Sequence, residues 1–239
     1  MSYLFFVRHG QGTLDGGHYD QLSELGHLQS RMLGEMWADR QFKVDYAYSG
    51  TQKRHRQTAE TVAASYETKG LKFPKIIKDE RFNEIDSLKV LEKLVLNLLS
   101  EDPEFFKLVD RTWKALRKDL PDKIELLDRS MKTIMDAWIN EGIPDFDGMS
   151  WKEYCRRVLD VTSELAKYDR DDRIVIFTSG NPIGIYIKKA LNISDAKALE
   201  LVGNLYNTNV TSIIMNNGSL SLFGMNDVSH LRDDQVTQK

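Results

Sequence analysis

Three residues that can do chemistry together stand at the end of a short apolar run, YLFFVRHG: Arg8, His9 and Gly10. Histidine has an ordinary pKa of about 6.5, so its neutral, nucleophilic form is well populated near neutral pH. A guanidinium beside it can grip the oxygens of an anion in a fork, and a glycine lets the backbone come close to one. A second arginine, Arg54, opens a helical pattern just after the run VDYAYSG, where a helix N-terminus adds its own pull on negative charge. Of its neighbours in KRHR, Lys53 and Arg56 read as solvated charges and His55 as a surface or packing residue rather than a ligand. The chemistry these groups suggest is attack by a neutral imidazole on an anionic centre held between two arginines.

Such residues need a scaffold that delivers them to one edge. YLFFVRHG reads as a buried strand and GQGTLDGGHYDQ as a loop. Ser23 reads as the N-cap of SELGHLQSRMLGEMWADRQ, an amphipathic helix. VDYAYSG is a second strand, TQKRHRQTAETVAASYETKG a helix ending at Gly70, and Ile76 and Ile77 the centre of a third strand. From Ser87 to about Gly142 three helix-like segments follow with no strand between them, so a helical insertion is expected there, with Trp113 and Trp138 in its core. IPDFDGMS is a linker, and SWKEYCRRVLDVTSELAKYDRDD one helix capped by Ser150. DRIVIFTSG is the strongest strand pattern. NPIGIYIKKALNI and SDAKALELVG are helices. TNVTSIIMNNGSLSLFGMND is a hairpin about Asn-Asn-Gly, and the polar tail after Leu231 is expected to fray. Strands alternating with helices imply a three-layer α/β/α sandwich, with a mostly parallel sheet and an antiparallel edge. The expectation is a single domain over residues 1–239 with the insertion at about 87–142. Ligands of open α/β sheets bind beyond the carboxyl ends of the strands, where RHG and TSG both fall.

The bulk numbers exclude several classes. A net charge of −3, from 33 basic and 36 acidic residues, carries no footprint for nucleic acid or an acidic membrane. No stretch approaches the roughly 20 apolar residues of a membrane span, and the apolar start, cut by Arg8 and His9, is too short for a signal peptide. The single cysteine, Cys155, precludes an internal disulfide and reads as a half-buried structural thiol. A cytoplasmic protein is expected. His18 and His27 lack partners at metal-ligand spacing, so neither a metal nor another cofactor is expected.

RHG after the first strand, SGTQKRHRQTAE after the second, NEID after the third and TSGNPIG after a late strand resemble, in that order, the motifs of the histidine phosphatase (phosphoglycerate-mutase-like) superfamily. LSELGHLQS and GMSWKEYCRRV also resemble segments of that family, and the resemblance covers nearly the whole chain except the insertion. It implies that His9 becomes phosphohistidine and that Arg8 and Arg54 bind the phosphoryl oxygens. It also implies that Glu84 protonates the leaving oxygen and then activates water, with Glu80 and Asp86 as neighbouring carboxylates that could hold that role instead. The family usually carries a second histidine where this chain has Ser179. A serine donates one neutral hydrogen bond and supplies no positive charge. Gly180 and the start of the next helix offer backbone N–H groups to the same anion. Gln11 follows RHG, and His230, a packing histidine by its context, is the other imidazole that could fill the gap.

The implied activity is hydrolysis of a small phosphorylated substrate through phosphohistidine. A phosphoglycerate-mutase-type transferase is the alternative within the fold, disfavoured because Gln11 and Gly12 replace the acidic residue and serine of the mutase-like run. A pseudo-phosphatase that binds a phosphorylated ligand without turnover is the alternative from another class, motivated by Ser179. A homodimer is left open.

Overall fold

The computed structural model describes residues 1–13, 20–85, 87–140 and 148–238. Residues 14–19 of the glycine-rich loop, His18 among them, Asp86, the end expected for the insertion at Gly142 and the first five residues of the linker lie outside the described residues. The chain divides into two compact units, Met1–Glu84 with Arg157–Lys239, and Ile85–Arg156.

The first unit is built on β1 (Ser2–Arg8), α1 (Glu24–Asp39), β2 (Tyr46–Ser49), α2 (Lys53–Thr68) and β3 (Ile76–Lys78). Ser23 caps α1, accepting from the backbone N–H of Gly26. In the second unit follow α3 (Ser87–Glu101), α4 (Pro103–Arg117), α5 (Lys123–Ile139) and the start of α6 (Trp151–Asp160), where Ser150 and Glu153 form reciprocal cap hydrogen bonds. The chain then returns to the first unit through α7 (Thr162–Leu165), β4 (Arg173–Thr178), α8 (Gly180–Leu191), α9 (Asp195–Gly203), β5 (Val210–Asn216) and β6 (Ser219–Asp227). The single helix expected from Ser150 to the Asp171–Asp172 region is two, broken at Val161.

The sheet order is β3-β2-β4-β1-β5-β6. β3, β2, β4 and β1 pair in parallel, while β5 runs antiparallel to β1 and pairs with β6. Asn217 and Gly218, both at positive φ, close that hairpin. Apolar side chains line both faces of the central strands, which is why β1 and β4 read as continuous apolar runs. On one face Val7, Val175 and Phe177 pack with Leu33 and Trp37 of α1 and Ala59 and Val62 of α2. On the other, Phe6 packs on Tyr186 of α8, ring centroids 4.5 Å apart.

The expected insertion at 87–142 falls within the helical unit. There Asp102 caps α4 ahead of Pro103, and Thr112 and Ser130 share a buried hydroxyl pair 3.0 Å apart. Trp138 is buried, with its indole N–H on the carbonyl of Met149. Trp113 is not core: it is 59% exposed, beside Phe106 and Leu116, which are also exposed. Helical apolar spacing defines a stripe, but not how much of the stripe a neighbour covers.

The tail does not fray at once after Leu231. Residues 233–235 form a 3-10 turn and Gln235 is buried. Gln29 of α1 donates to the Gln235 carbonyl at 2.7 Å, and Asn207 donates its backbone N–H to the Thr237 carbonyl at 2.7 Å. Polar composition suggested solvation, yet these polar groups pair with buried polar partners instead.

Candidate active site

The parallel register brings the candidate residues to one edge. Arg8 lies opposite Thr178, and the His9 backbone N–H donates to the Thr178 carbonyl at 2.8 Å, so His9 and Ser179 leave adjacent strands side by side. On the far side of β4, Gly50 donates its N–H to Phe177, and α2 starts three residues later with Arg54 in its first turn. The carboxyl ends of β1, β4 and β2 thus supply His9, Ser179 and the Arg54 segment.

His9 is 3% exposed. Its Nδ1 lies 2.7 Å from the Gly10 carbonyl oxygen, a geometry in which Nδ1–H donates and Nε2 keeps its lone pair. Burial, then the charges of Arg54 and Arg8, hold the ring's pKa well below its ordinary value, against a smaller upward pull from Gly10. His9 is therefore a neutral imidazole with a free Nε2, and both guanidinium groups act on it. The Gly10 N–H donates to Thr58 Oγ1, and a Cβ at Gly10 would run into the backbone of Gly26. The glycine thus serves contact with α1 rather than approach of an anion.

Arg54 is buried and held from three sides. Its Nη1 donates to Asp20 at 2.9 Å, and its Nη2 to Gln52 at 3.0 Å and to Ser179 Oγ at 3.4 Å. Arg8 donates from Nη1 to the Leu205 carbonyl. Just ahead of α2, the Thr51 and Gln52 amides donate to Asn83 Oδ1, and the first amide of the helix, that of Lys53, donates to Asp20. The side chains of Asn83 and Asp20 thus occupy amides at the end expected to attract an anion, and the Arg54 guanidinium adds a charged donor there.

Glu84 is fixed at the start of α8. Its Oε1 accepts from the Asn181 side chain at 2.8 Å, and its Oε2 from the Asn181 backbone N–H at 3.3 Å. Glu80, the neighbouring alternative, is exposed. Gly180 is buried against Val202. Gln11 accepts from the Ser23 hydroxyl at 2.9 Å and donates its backbone N–H to Gln29, so it ties the loop to the α1 cap.

His230 is buried, pairs through Nε2 with Thr208 Oγ1 at 2.9 Å, and is pushed down to about 4 by burial. The imidazole beside Ser179 is His55, fully buried, with Nε2 2.6 Å from Ser179 Oγ and its ring centroid 5.7 Å from that of His9. Its pKa too is held well below the ordinary value, by burial first and then by His9 and Arg54. The signal was in the helix period: His55, Ala59, Val62 and Tyr66 form the buried stripe of α2. The basic letters around His55 hid that stripe. Asp20, Gln52, Thr58, Asn83 and Asn181, which hold the site in place, carry no separate sequence signal. Among the described residues no cluster of three His, Cys, Asp or Glu side chains could hold a metal ion.

The fold has parallels among solved structures. A variant of the phosphoserine phosphatase from Entamoeba histolytica in complex with phosphoserine superposes with a TM-score of 0.59 at 19% identity, covering 97% of this chain and 100% of that one. A phosphoglycerate mutase from Bacillus anthracis gives 0.60 at 20% identity, covering 96% and 94%. A mycobacterial glucosyl-3-phosphoglycerate phosphatase gives 0.58 at 18% identity, covering 94% and 98%. No curated protein sequence matches the chain. The family model for the histidine phosphatase superfamily (branch 1) matches residues 4–137 and 111–228, so the chain belongs to that superfamily.

Proposed function

We propose that the chain is a phosphomonoester hydrolase that carries the phosphoryl group on His9 Nε2. The observation that carries this reading is the buried, neutral His9, its Nδ1 turned to Gly10 and its ring under the influence of two guanidinium groups. In the first step Nε2 bonds to phosphorus as the bond to the leaving oxygen breaks, and protonated Glu84 gives its proton to that oxygen. Arg8 and Arg54 balance charge on the phosphoryl oxygens. In the second step the Glu84 carboxylate takes a proton from water, the water oxygen bonds to phosphorus, and the phosphorus–nitrogen bond breaks. Inorganic phosphate leaves, and His9 is neutral again.

The structural parallels include both phosphatases and a mutase, so they do not choose between the two outcomes. Gln11 favours hydrolysis, since it and Gly12 stand where the mutase-like run has an acidic residue and a serine. The substrate class is a small phosphorylated molecule, as with the phosphoserine and the glucosyl-3-phosphoglycerate named for the parallels. Because the family match runs through the helical unit, we read the chain as one domain with an insertion. Among the described residues no helix is long and apolar enough to cross a membrane, and we assign the reaction to the cytoplasm. Phosphate release across sugar phosphates, nucleotides, phosphoserine and phosphoglycerates tests the proposal. Release from at least one class, abolished in His9→Ala, is expected; turnover that survives in His9→Ala contradicts it.

A further inference from the structure

Ser179 stands at the N-cap position of α8 but makes no capping hydrogen bond. It is 1% exposed, and its hydroxyl faces Arg54 Nη2 at 3.4 Å and His55 Nε2 at 2.6 Å. A buried hydroxyl turned away from the amides it could cap has another use.

The proton on His55 decides what that use is. Its Nδ1 is buried with no hydrogen-bond partner. A Cβ at Gly50 would run into that atom, so the strand-end glycine packs directly on it. A buried N–H without an acceptor costs more than a bare, under-used acceptor. The favoured tautomer therefore carries its proton on Nε2 and donates to Ser179 Oγ. Arg54 donates to the same oxygen. With two donors on its lone pairs, Ser179 keeps its own O–H for a third partner, and two incoming hydrogen bonds polarise that O–H into a stronger donor.

We propose that His55 is a positioning residue of the phosphoryl site: through Nε2 it turns the Ser179 hydroxyl outward as a hydrogen-bond donor to the bound anion. His55 thereby acts through Ser179, from α2, without contact to the reacting atoms. The held-down pKa agrees with a neutral ring. The inference rests on the phosphoryl-transfer reading above, and its tests include two that need no turnover.

In the full chain labelled with 15N-histidine, long-range correlation spectra should show His55 with a protonated Nε2 and a bare Nδ1 at pH 7. A proton on Nδ1, or a cationic ring, would overturn the proposal whatever the enzyme turns over. Orthovanadate serves as the anion probe. His55→Leu and Ser179→Ala should each weaken its binding about tenfold, the worth of roughly one hydrogen bond, and unchanged affinity would overturn the proposal. With p-nitrophenyl phosphate, each single variant should lose about tenfold in kcat, and the double variant should be no worse than the poorer single. His55→Gln, whose amide can donate from nearly the same place, should recover most of the loss. Losses that multiply in the double variant, or a Gln variant as poor as Leu, would show His55 to be packing alone. A wild-type chain that binds vanadate but hydrolyses no phosphomonoester would instead sink the phosphatase reading and leave the spectra and the vanadate affinities to decide His55.

Discussion

A nucleophilic histidine must be neutral, and burial beside two arginines keeps His9 so. The sign of the pH dependence follows. With its pKa held well below 6.5, the ring stays unprotonated as pH falls through 6.5, so the acid limb of kcat/KM assigned to His9 lies below that value. Arg54→Gln removes a charge that lowers the pKa, so the limb should move to higher pH; a limb that stays put contradicts the electrostatic account. Arg54→Lys keeps the charge but loses the fork that reaches Asp20, Gln52 and Ser179, and we expect kcat/KM to fall between about tenfold and a thousandfold. Steady-state kinetics on either variant provides the check. At this scale the sequence announced Arg8, His9 and Arg54 through residue type and strand-end position. It hid His55, because a basic run looks solvated until the buried stripe of α2 is laid over it. Ser179 was legible as a departure from the family pattern; the imidazole beside it was not, since 124 positions separate the two.

The elements matter because three parallel strands end together and glycines let their followers close in. Gly50 leaves room for the His55 ring, so Gly50→Ala should displace the imidazole and lower kcat about as much as His55→Leu does, with the fold retained by circular dichroism. A variant with wild-type kcat would show that the ring's place is not critical. The C-terminal tail is the other positioning element. Asn207, which accepts from Thr237 and donates to the His9 carbonyl at 3.2 Å, links the tail to the backbone of His9. Deleting residues 232–239 removes at least three buried or half-buried hydrogen bonds, at about 1 kcal/mol each. Thermal melts should fall by roughly 6–12 °C at 2–4 °C per kcal/mol, and an unchanged Tm contradicts that role. Strand and helix positions were readable from apolar period and caps, as at Ser23, Ser150 and Asn217-Gly218. The docked tail was not, because its hydrogen bonds to Gln29 and Asn207 leave no periodic trace.

Among the described residues, three buried histidines have lowered proton affinity: His9, His55 and His230. In the unfolded chain each titrates near 6.5, so below that pH the unfolded state binds more protons than the native one and stability falls as pH falls. The window runs from about 6.5 down to the native values, that of His230 being about 4. Each contributes at most about 1.4 kcal/mol per pH unit within it. Tm should be nearly level above pH 7 and then drop from about pH 6.5 to 5, before most carboxylates titrate, and a flat profile across that lower range would contradict neutral burial of the three rings. Family membership was legible from four ordered motifs because the sheet topology fixes their order along the chain; the exposed face around Trp113 was not, because burial depends on neighbours that period does not name. All of these effects serve the claim that His9 takes the phosphoryl group. Brief incubation with a reactive phosphate donor at neutral pH, an alkaline quench and peptide mapping measure it directly. The account predicts an acid-labile phosphate on His9, absent from His9→Ala; full turnover with no phosphate ever found on His9 would contradict it.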